Sequence, residues 1–540
     1  MVALRAIAVA PRNPAPRAAL AAMYIVQGQG SLAEKVLQAA KAELRDDPAA
    51  SRMLGDYYLS VGDSAKALAE FASLSKDHPE DLKIGESYIQ LLILSHQIDE
   101  AARLTAEILK KSPQDVEGLI LNGQILLQNG KFQDALQTLQ LALKGDPANP
   151  LGHYQLGMAF LALGNINQAE SQWRNAVELR PTLAEAWVAL GTSAVQRSDW
   201  SNLESIGVQL KKLSPQSPGG YLFHATARFN QGDTSSAEAD LNQLLQGSPE
   251  NPMGYAKLGQ LRAAQKRWND AERLYQEALK RAPDYSDAIQ GMVDLDLRRG
   301  NAADALQFIQ AQIERDPNSA ALYFLQGQSY LQEKRLIDAE RSFSRCVELD
   351  KQNLNGFIML GQTQHAQGHS TEAIASYRHA IAIAPTNSGL YTTLGVTYEA
   401  QGSWQEAEAA YQRALGLDPE QALAANNLAY LLLEHGGNVN MALTLAQTAR
   451  RGLPDVPNSV DTLGWAYFHN GAYSVAVDLL EKAVKGSPTN ATYRFHLGAT
   501  YQKLNDPARA RTEFQKSIYL DPNAPSAEKA SRALRELSAS

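Results

Sequence analysis

Apolar residues return at helical spacing along the chain, and the pattern they make returns as well. Within residues 150–183, Leu156 and Phe160 fall on one face of a first stretch, and Ala169, Trp173 and Ala176 on one face of a second. Each stretch is about thirteen residues long, which predicts two amphipathic helices. A proline follows at a fixed distance. Pro79, Pro113, Pro147, Pro181, Pro215, Pro249, Pro283 and Pro317 are each 34 residues apart. Lys351 takes the next place and Pro385 and Pro419 resume the series. After one inserted residue come Pro454, Pro488 and Pro522. Upstream, Arg45 holds the place before Pro79, and Pro11 the one before that.

With that proline set at position 32, units begin at residues 14, 48, 82, 116, 150, 184, 218, 252, 286, 320, 354, 388, 422, 457 and 491, and the last ends at 524. The unit 422–456 carries the extra residue. Position 20 is alanine in every unit but 184–217, where it is Leu203. Position 8 is glycine in ten units, among them Gly55, Gly157 and Gly395, and alanine at Ala21, Ala225 and Ala429. Position 15 is glycine in nine, from Gly28 to Gly471. Three columns in one register are not chance, and a period of this length reads as stacked supersecondary modules. Glycine at 15 supplies the left-handed residue that stops a first helix. Proline at 32 cannot continue a second one. Small residues at 8 and 20 let the two helices approach closely. Each unit is therefore an antiparallel helix pair that buries its apolar face only against its neighbours. Unit 184–217, with Leu203 and Gly207 at positions 20 and 24, is expected to be locally irregular.

These columns resemble the tetratricopeptide (TPR) repeat. Trp187, Leu190 and Gly191 in one unit, and Tyr398, Ala407, Tyr411, Ala414 and Pro419 in another, sit where that family carries its signature. The likeness runs over residues 14–524. It implies an all-α fold, a right-handed α-α superhelix of about fifteen helix-turn-helix repeats whose first helices line a concave groove. Residues 525–540 read as a C-terminal capping helix, with Glu528, Lys529, Arg532 and Arg535 on its polar face. Residues 1–13 invite a signal-peptide reading, but Arg5 interrupts the apolar run and Pro11 closes it. The segment fits better as the tail of a truncated preceding repeat, which implies a native chain extending upstream.

Composition narrows the function. Hydrophobic residues make up 44%, enough for a continuous core, and a net charge of −8 leaves no nucleic-acid footprint. No apolar stretch reaches the roughly 18 residues of a membrane span. No phosphate-binding, nucleophile-elbow or zinc-protease motif occurs. The single cysteine, Cys346, falls in a small-residue core column and reads as structural. His365 and His369 have the spacing of metal ligands on one helix face, but Gly368 at the turn column puts His369 beyond the helix end. Glu406 and Glu408 point to different faces. The chain is therefore expected to be no enzyme, with no catalytic residue, cofactor or metal.

What remains is the groove. In the family's register, positions 2, 5, 9, 12 and 13 of the first helix face inward. Position 9 carries Gln90, Gln124, Thr192, Thr226, Gln260, Asp294, Gln328 and Gln362, a ladder able to pair with an extended peptide backbone or simply a solvated polar face. The lysine, arginine and asparagine pattern with which related proteins clamp a terminal carboxylate is missing. The position-6 asparagine ladder of the O-GlcNAc transferase superhelix is reduced to Asn427. Trp173, Trp187, Trp200, Trp268 and Trp404 occupy signature core columns, and Trp465 alone lies in an inward one. Around it come Asn426, Asn427, Tyr430, Asp461, Phe468, His469, Phe495 and His496, either a recognition hot spot or a tightly packed end.

The resulting expectation is a non-catalytic scaffold that holds protein or peptide segments in its groove. Residues 422–490, above all Ala425–Phe468, also resemble TPR proteins of bacterial envelopes, including exopolysaccharide export and sorting systems. That resemblance implies a place in a secretion complex, polysaccharide as a possible ligand, and a periplasmic or envelope location if an upstream signal is removed, otherwise a cytoplasmic one. A third alternative is the superhelical targeting part of a larger enzyme such as a glycosyltransferase.

Overall fold

The computed structural model describes residues 2–45 and 47–539. Among them are thirty-two α-helices and no strand, in two units, residues 1–283 and 284–540. The fold class is all-α, an α-α solenoid of helix pairs within each unit. A short helix, Val2–Val9, precedes the first pair. Then come fifteen pairs whose first helices have 12 to 14 residues and whose second helices all have 14. The helix Pro525–Ala539 follows the last pair and packs on Ala491–Lys503 and Pro507–Leu520. No helix of the described residues is long and apolar enough to cross a membrane.

The turn at position 15 is the same in all fifteen pairs. Its backbone is left-handed at nine column glycines and at Gly436, but also at His96, Ser198, Lys266, Lys334 and Asn505. The next residue's N–H closes the end by bonding five residues back, as in Asn165 N to Phe160 O at 2.8 Å. The inserted residue of unit 422–456 is absorbed here, in Gly436–Gly437, where Gly437 N reaches Leu432 O at 2.7 Å. At the other end of the module an Asx side chain often caps the next first helix; Asn251 Oδ1 accepts from Gly254 N at 3.1 Å.

In many pairs the core is a ring lying against bare backbone at position 8. A Cβ at Gly55 would come 2.6 Å from Phe71, at Gly327 2.6 Å from Phe343 and at Gly361 2.8 Å from Tyr377. The position-20 alanines behind these contacts are fully buried, and so is Leu203 where it replaces one. Unit 184–217 keeps ordinary helix lengths, Ala184–Gln196 and Trp200–Leu213. Its irregularity lies in the packing. Gly207 offers no ring at position 24, and Phe223 of the next unit covers Gly191 instead. The gap at Gly207 closes because Gly207 lies against the backbone of His224, where a Cβ would come 2.6 Å from His224 N. Among the tryptophans expected in core columns, Trp173 is buried, whereas Trp404 opens its helix and stays 37% exposed, stacked on His435. Position 17 is the first residue of the second helix, so only one side of that ring can be covered.

Two outcomes are expected. A non-glycine residue in the left-handed region costs about 1 kcal/mol or more, so Ser198→Gly, Lys266→Gly and Lys334→Gly should each stabilise their helix pair, read as slower local hydrogen exchange and a higher thermal midpoint. Gly327→Ala should destabilise by about 1–3 kcal/mol, because the new methyl must displace Phe343. A neutral thermal shift for Gly327→Ala would contradict the packing described.

Candidate functional site

First helices of successive pairs lie side by side, so residues at the same helical position line up across them. Toward the C-terminal end four of them, Ser388–Gln401, Ala422–Glu434, Pro457–His469 and Ala491–Lys503, form an open polar groove. Val396 and Glu399 come from the first, and Asn426, Asn427 and Tyr430 from the second. Asn458 and Asp461 come from the third, and Asn490, Thr492 and Tyr493 from the fourth and its cap.

The chemistry of this groove is dominated by amides and neutral hydroxyls. Asn426 donates through Nδ2 to Asn427 Oδ1 at 3.4 Å, while its own Oδ1 is buried and accepts no hydrogen bond among the described residues. Asn427 Nδ2 lies 3.5 Å from Tyr411 Oη, which in turn donates to Glu399. Burial pushes the Glu399 carboxyl above the usual range, against the opposing pull of Tyr411 and His435. Asp461 is held by His496 Nδ1, 2.9 Å away, with both side chains almost wholly buried. Burial raises the Tyr430 phenol, aided by Glu434 and Asp461, and raises that of Tyr493 to about 12. Both phenols are therefore protonated donors at neutral pH.

The aromatic residues form a second cluster beside the groove. Trp465 lies between His496 and Phe468, stacked at centroid distances of 4.0 and 4.4 Å, with His469 and Phe495 edge-on. It is 5% exposed, so neither face of its ring is open. Its Nε1 donates to Glu434 Oε1 at 3.1 Å, and Glu434 Oε2 pairs with Lys529 of the C-terminal helix at 2.6 Å. That helix thus ties back to a first helix three pairs earlier. The position-9 residues Gln260, Asp294, Gln328 and Gln362 lie elsewhere. Gln260 lines a small hollow with Thr226 and Phe229 in residues 1–283. Asp294 accepts from Gln290 Nε2 at 2.8 Å. Gln328 is half-buried and Gln362 exposed.

Asn458, Thr492 and Glu399 sit in inward columns 2 and 12 of the sequence register, and reading every unit at those columns would have found them. Asn490 is a helix cap and Tyr493 sits at position 3, so neither column nor motif marks them. Elsewhere, Cys346 is buried and its thiol is pushed up to about 11 by burial and by Asp350. His365 ends one helix and His369 caps the next, with the left-handed Gly368 between them. Among the described residues no three His, Cys, Asp or Glu side chains gather as they would around a metal ion.

The tie to the C-terminal helix has a definite pH dependence. Burial raises the Glu434 carboxyl, but the hydrogen bond and charge of Lys529, with His496 and Trp465, bring it below the ordinary value. A depressed carboxyl stabilises the folded state above its unfolded pKa and loses that contribution as pH falls through the folded one. Hydrogen exchange of Pro525–Ala539, corrected for its intrinsic rate, should therefore accelerate as pH drops below about 4.3. Lys529→Ala should show the faster exchange already at neutral pH. Unchanged protection in that variant would contradict the tie.

Known proteins place this geometry. Tetratricopeptide-repeat family profiles match residues 154–202, 224–286, 392–457 and 462–525, residues 262–328, and residues 320–353 and 355–387, and a TPR-repeat profile matches residues 123–164. No curated protein matches the chain in sequence. Among solved structures, the APC/C hetero-tetramer Cut9-Hcn1 is similar at 16% identity and TM-score 0.45, over 92% of this chain and 98% of that one. A tetratricopeptide repeat protein from Parabacteroides merdae ATCC 43184 is similar at 17% identity and TM-score 0.40, over 46% of this chain and 98% of that one. The assignment rests on the profiles and on the helix pairs themselves. Repeats of this type are, in general, scaffolds for protein–protein interaction. The chain belongs to the tetratricopeptide-repeat family.

Proposed function

We propose that the chain is an interaction scaffold that holds an extended protein segment in the polar groove of residues 388–503. The observation that carries this reading is the groove's donor and acceptor set. Side-chain amides from two successive first helices and from the cap of a third, with the phenols of Tyr430 and Tyr493, line one open channel. An amide both donates and accepts, so a row of them can pair with the alternating N–H and C=O groups of a main chain whatever its sequence. A saccharide ligand would call instead for an open aromatic face, and both faces of Trp465 are covered. Polypeptide is the occupant the groove favours.

The test is site-specific photo-crosslinking. With p-benzoylphenylalanine in place of Asn458, a partner polypeptide should be captured from extract of the producing cells. In place of Lys482, exposed on the second helix Tyr473–Gly486, it should not. Asn427→Ala should lower the Asn458 yield several-fold while leaving thermal stability nearly unchanged. Equal capture at 458 and 482 would sink the groove reading.

A further inference from the structure

At position 4 of the first helix, several repeats carry a ring that performs the same task. It reaches back six residues and donates to the carbonyl of position 32 in the preceding repeat. Trp187 Nε1 meets Pro181 O at 2.9 Å, and Tyr221 Oη meets Pro215 O at 3.1 Å. Tyr391 Oη meets Pro385 O at 3.2 Å, and Tyr323 Oη meets Pro317 O at 3.3 Å. Each tyrosine ring lies beneath a cation of a second helix: Lys211 over Tyr221, Arg345 over Tyr323, Arg413 over Tyr391. The ring thus seals the seam between two repeats, and its hydroxyl satisfies a carbonyl that no helix can use.

The repeat 82–115 has no such side chain, because position 4 is Gly85. In place of the ring there is a cavity of about 250 Å³, floored by Gly85, Ile89, Leu104 and Ile108 and reaching Pro79. A Cβ built on Gly85 would meet only the tip of Ile108, at 3.8 Å. No group donates to the Pro79 carbonyl among the described residues. The neighbouring repeat repeats the lesson. There position 4 is Ser51, and a second hollow opens beside it. Small size alone is not sufficient. Ala425 also stands at position 4, but Gly452 and Ala422 close in on that seam, so that a Cβ on Gly452 would lie 2.6 Å from the Ala422 methyl.

We propose that the Gly85 cavity receives one tyrosine side chain of a partner chain, its hydroxyl donating to the Pro79 carbonyl. The occupant's chemistry is read from the repeats that carry their own ring: a flat apolar body, a donor at its tip and a cation nearby. The volume suffices, since an apolar cavity of about 150 Å³ already accepts benzene. The mouth names a chain-borne ring over a free phenol. Lys76 and Lys111 stand around it, where acidic residues flanking a tyrosine can pair with them and a lone phenol leaves them idle. The site lies in residues 72–111, apart from the polar groove, and stands whether or not the groove reading holds.

Methyl-labelled chain reads this directly through the δ1 methyls of Ile89 and Ile108. Acetyl-Gly-Tyr-Gly-amide should shift both in a saturable way, and more tightly than p-cresol. Toluene, which has the ring without the donor, should bind at least tenfold more weakly than p-cresol. Gly85→Tyr should fill the cavity from within, raise the thermal midpoint and abolish the shifts, and Gly85→Leu should abolish them without the donor. If neither the peptide nor p-cresol perturbs the two methyls, or if both still do so in Gly85→Leu, the proposal fails. Saturable binding of p-cresol with exclusion of the peptide would overturn the partner-chain occupant.

Discussion

The contact on which the rest depends is the one between position 8, bare backbone in most pairs, and the ring or branched side chain set against it, which in most pairs comes from position 24. It fixes how closely two helices approach, and the approach must be the same in every pair if the pairs are to stack. Where a glycine faces Phe71, Phe343 or Tyr377, no atom could be added without moving the ring. The interior is close-packed, so a spacing set by one contact is transmitted to the next. The first helices are held side by side as a consequence, and the polar groove exists only because they are.

How much of this was legible follows from the range of each interaction. The left-handed turn, the alanine column and the glycine column act within one module and repeat with it, so the sequence displays each of them in at least nine of the fifteen units. The groove is different. Asn458 and Thr492 are ordinary helix residues until their helices are set next to one another, and Asn490 is read locally as a cap. Lys529 and Glu434 are 95 positions apart, and nothing local distinguishes them from the other surface charges. Trp465 shows the same limit. Its column points inward, but the covering of both its faces depends on His496 from the next pair and Phe468 from its own.

Electrostatics divides the inward surface into two kinds of ground. Asp461 with His496, and Glu434 with Lys529, are satisfied within the molecule; the first holds two neighbouring first helices in register and the second ties the C-terminal helix to a first helix. A carboxylate held away from water is costly unless paired, and removing its partner leaves it exposed to that cost. Both pairs are structural ties. The asparagines beside them are uncharged, incompletely paired and cheap to expose to water, which suits a surface that must exchange solvent for a ligand. A binding groove needs both, since amides held on slack helices would lose the spacing that matches a main chain.

The departures from the repeat are its most informative positions, and two glycines show why. Gly207 removes the ring at position 24, a place enclosed by both helices of its own pair. A void there would cost each surrounding residue its contacts, and the next unit answers by lending Phe223 and moving the backbone of His224 against the gap. Gly85 removes the ring at position 4, which lies on a seam open to solvent. Water can occupy that seam, so packing exerts no comparable force to close it, and the cavity persists with the Pro79 carbonyl accepting no bond from the described residues. One deletion is repaired because it is inside; the other is left open because it is at the surface. In a repeat protein the second kind of departure is where a specific contact with another chain can be made without disturbing the stack.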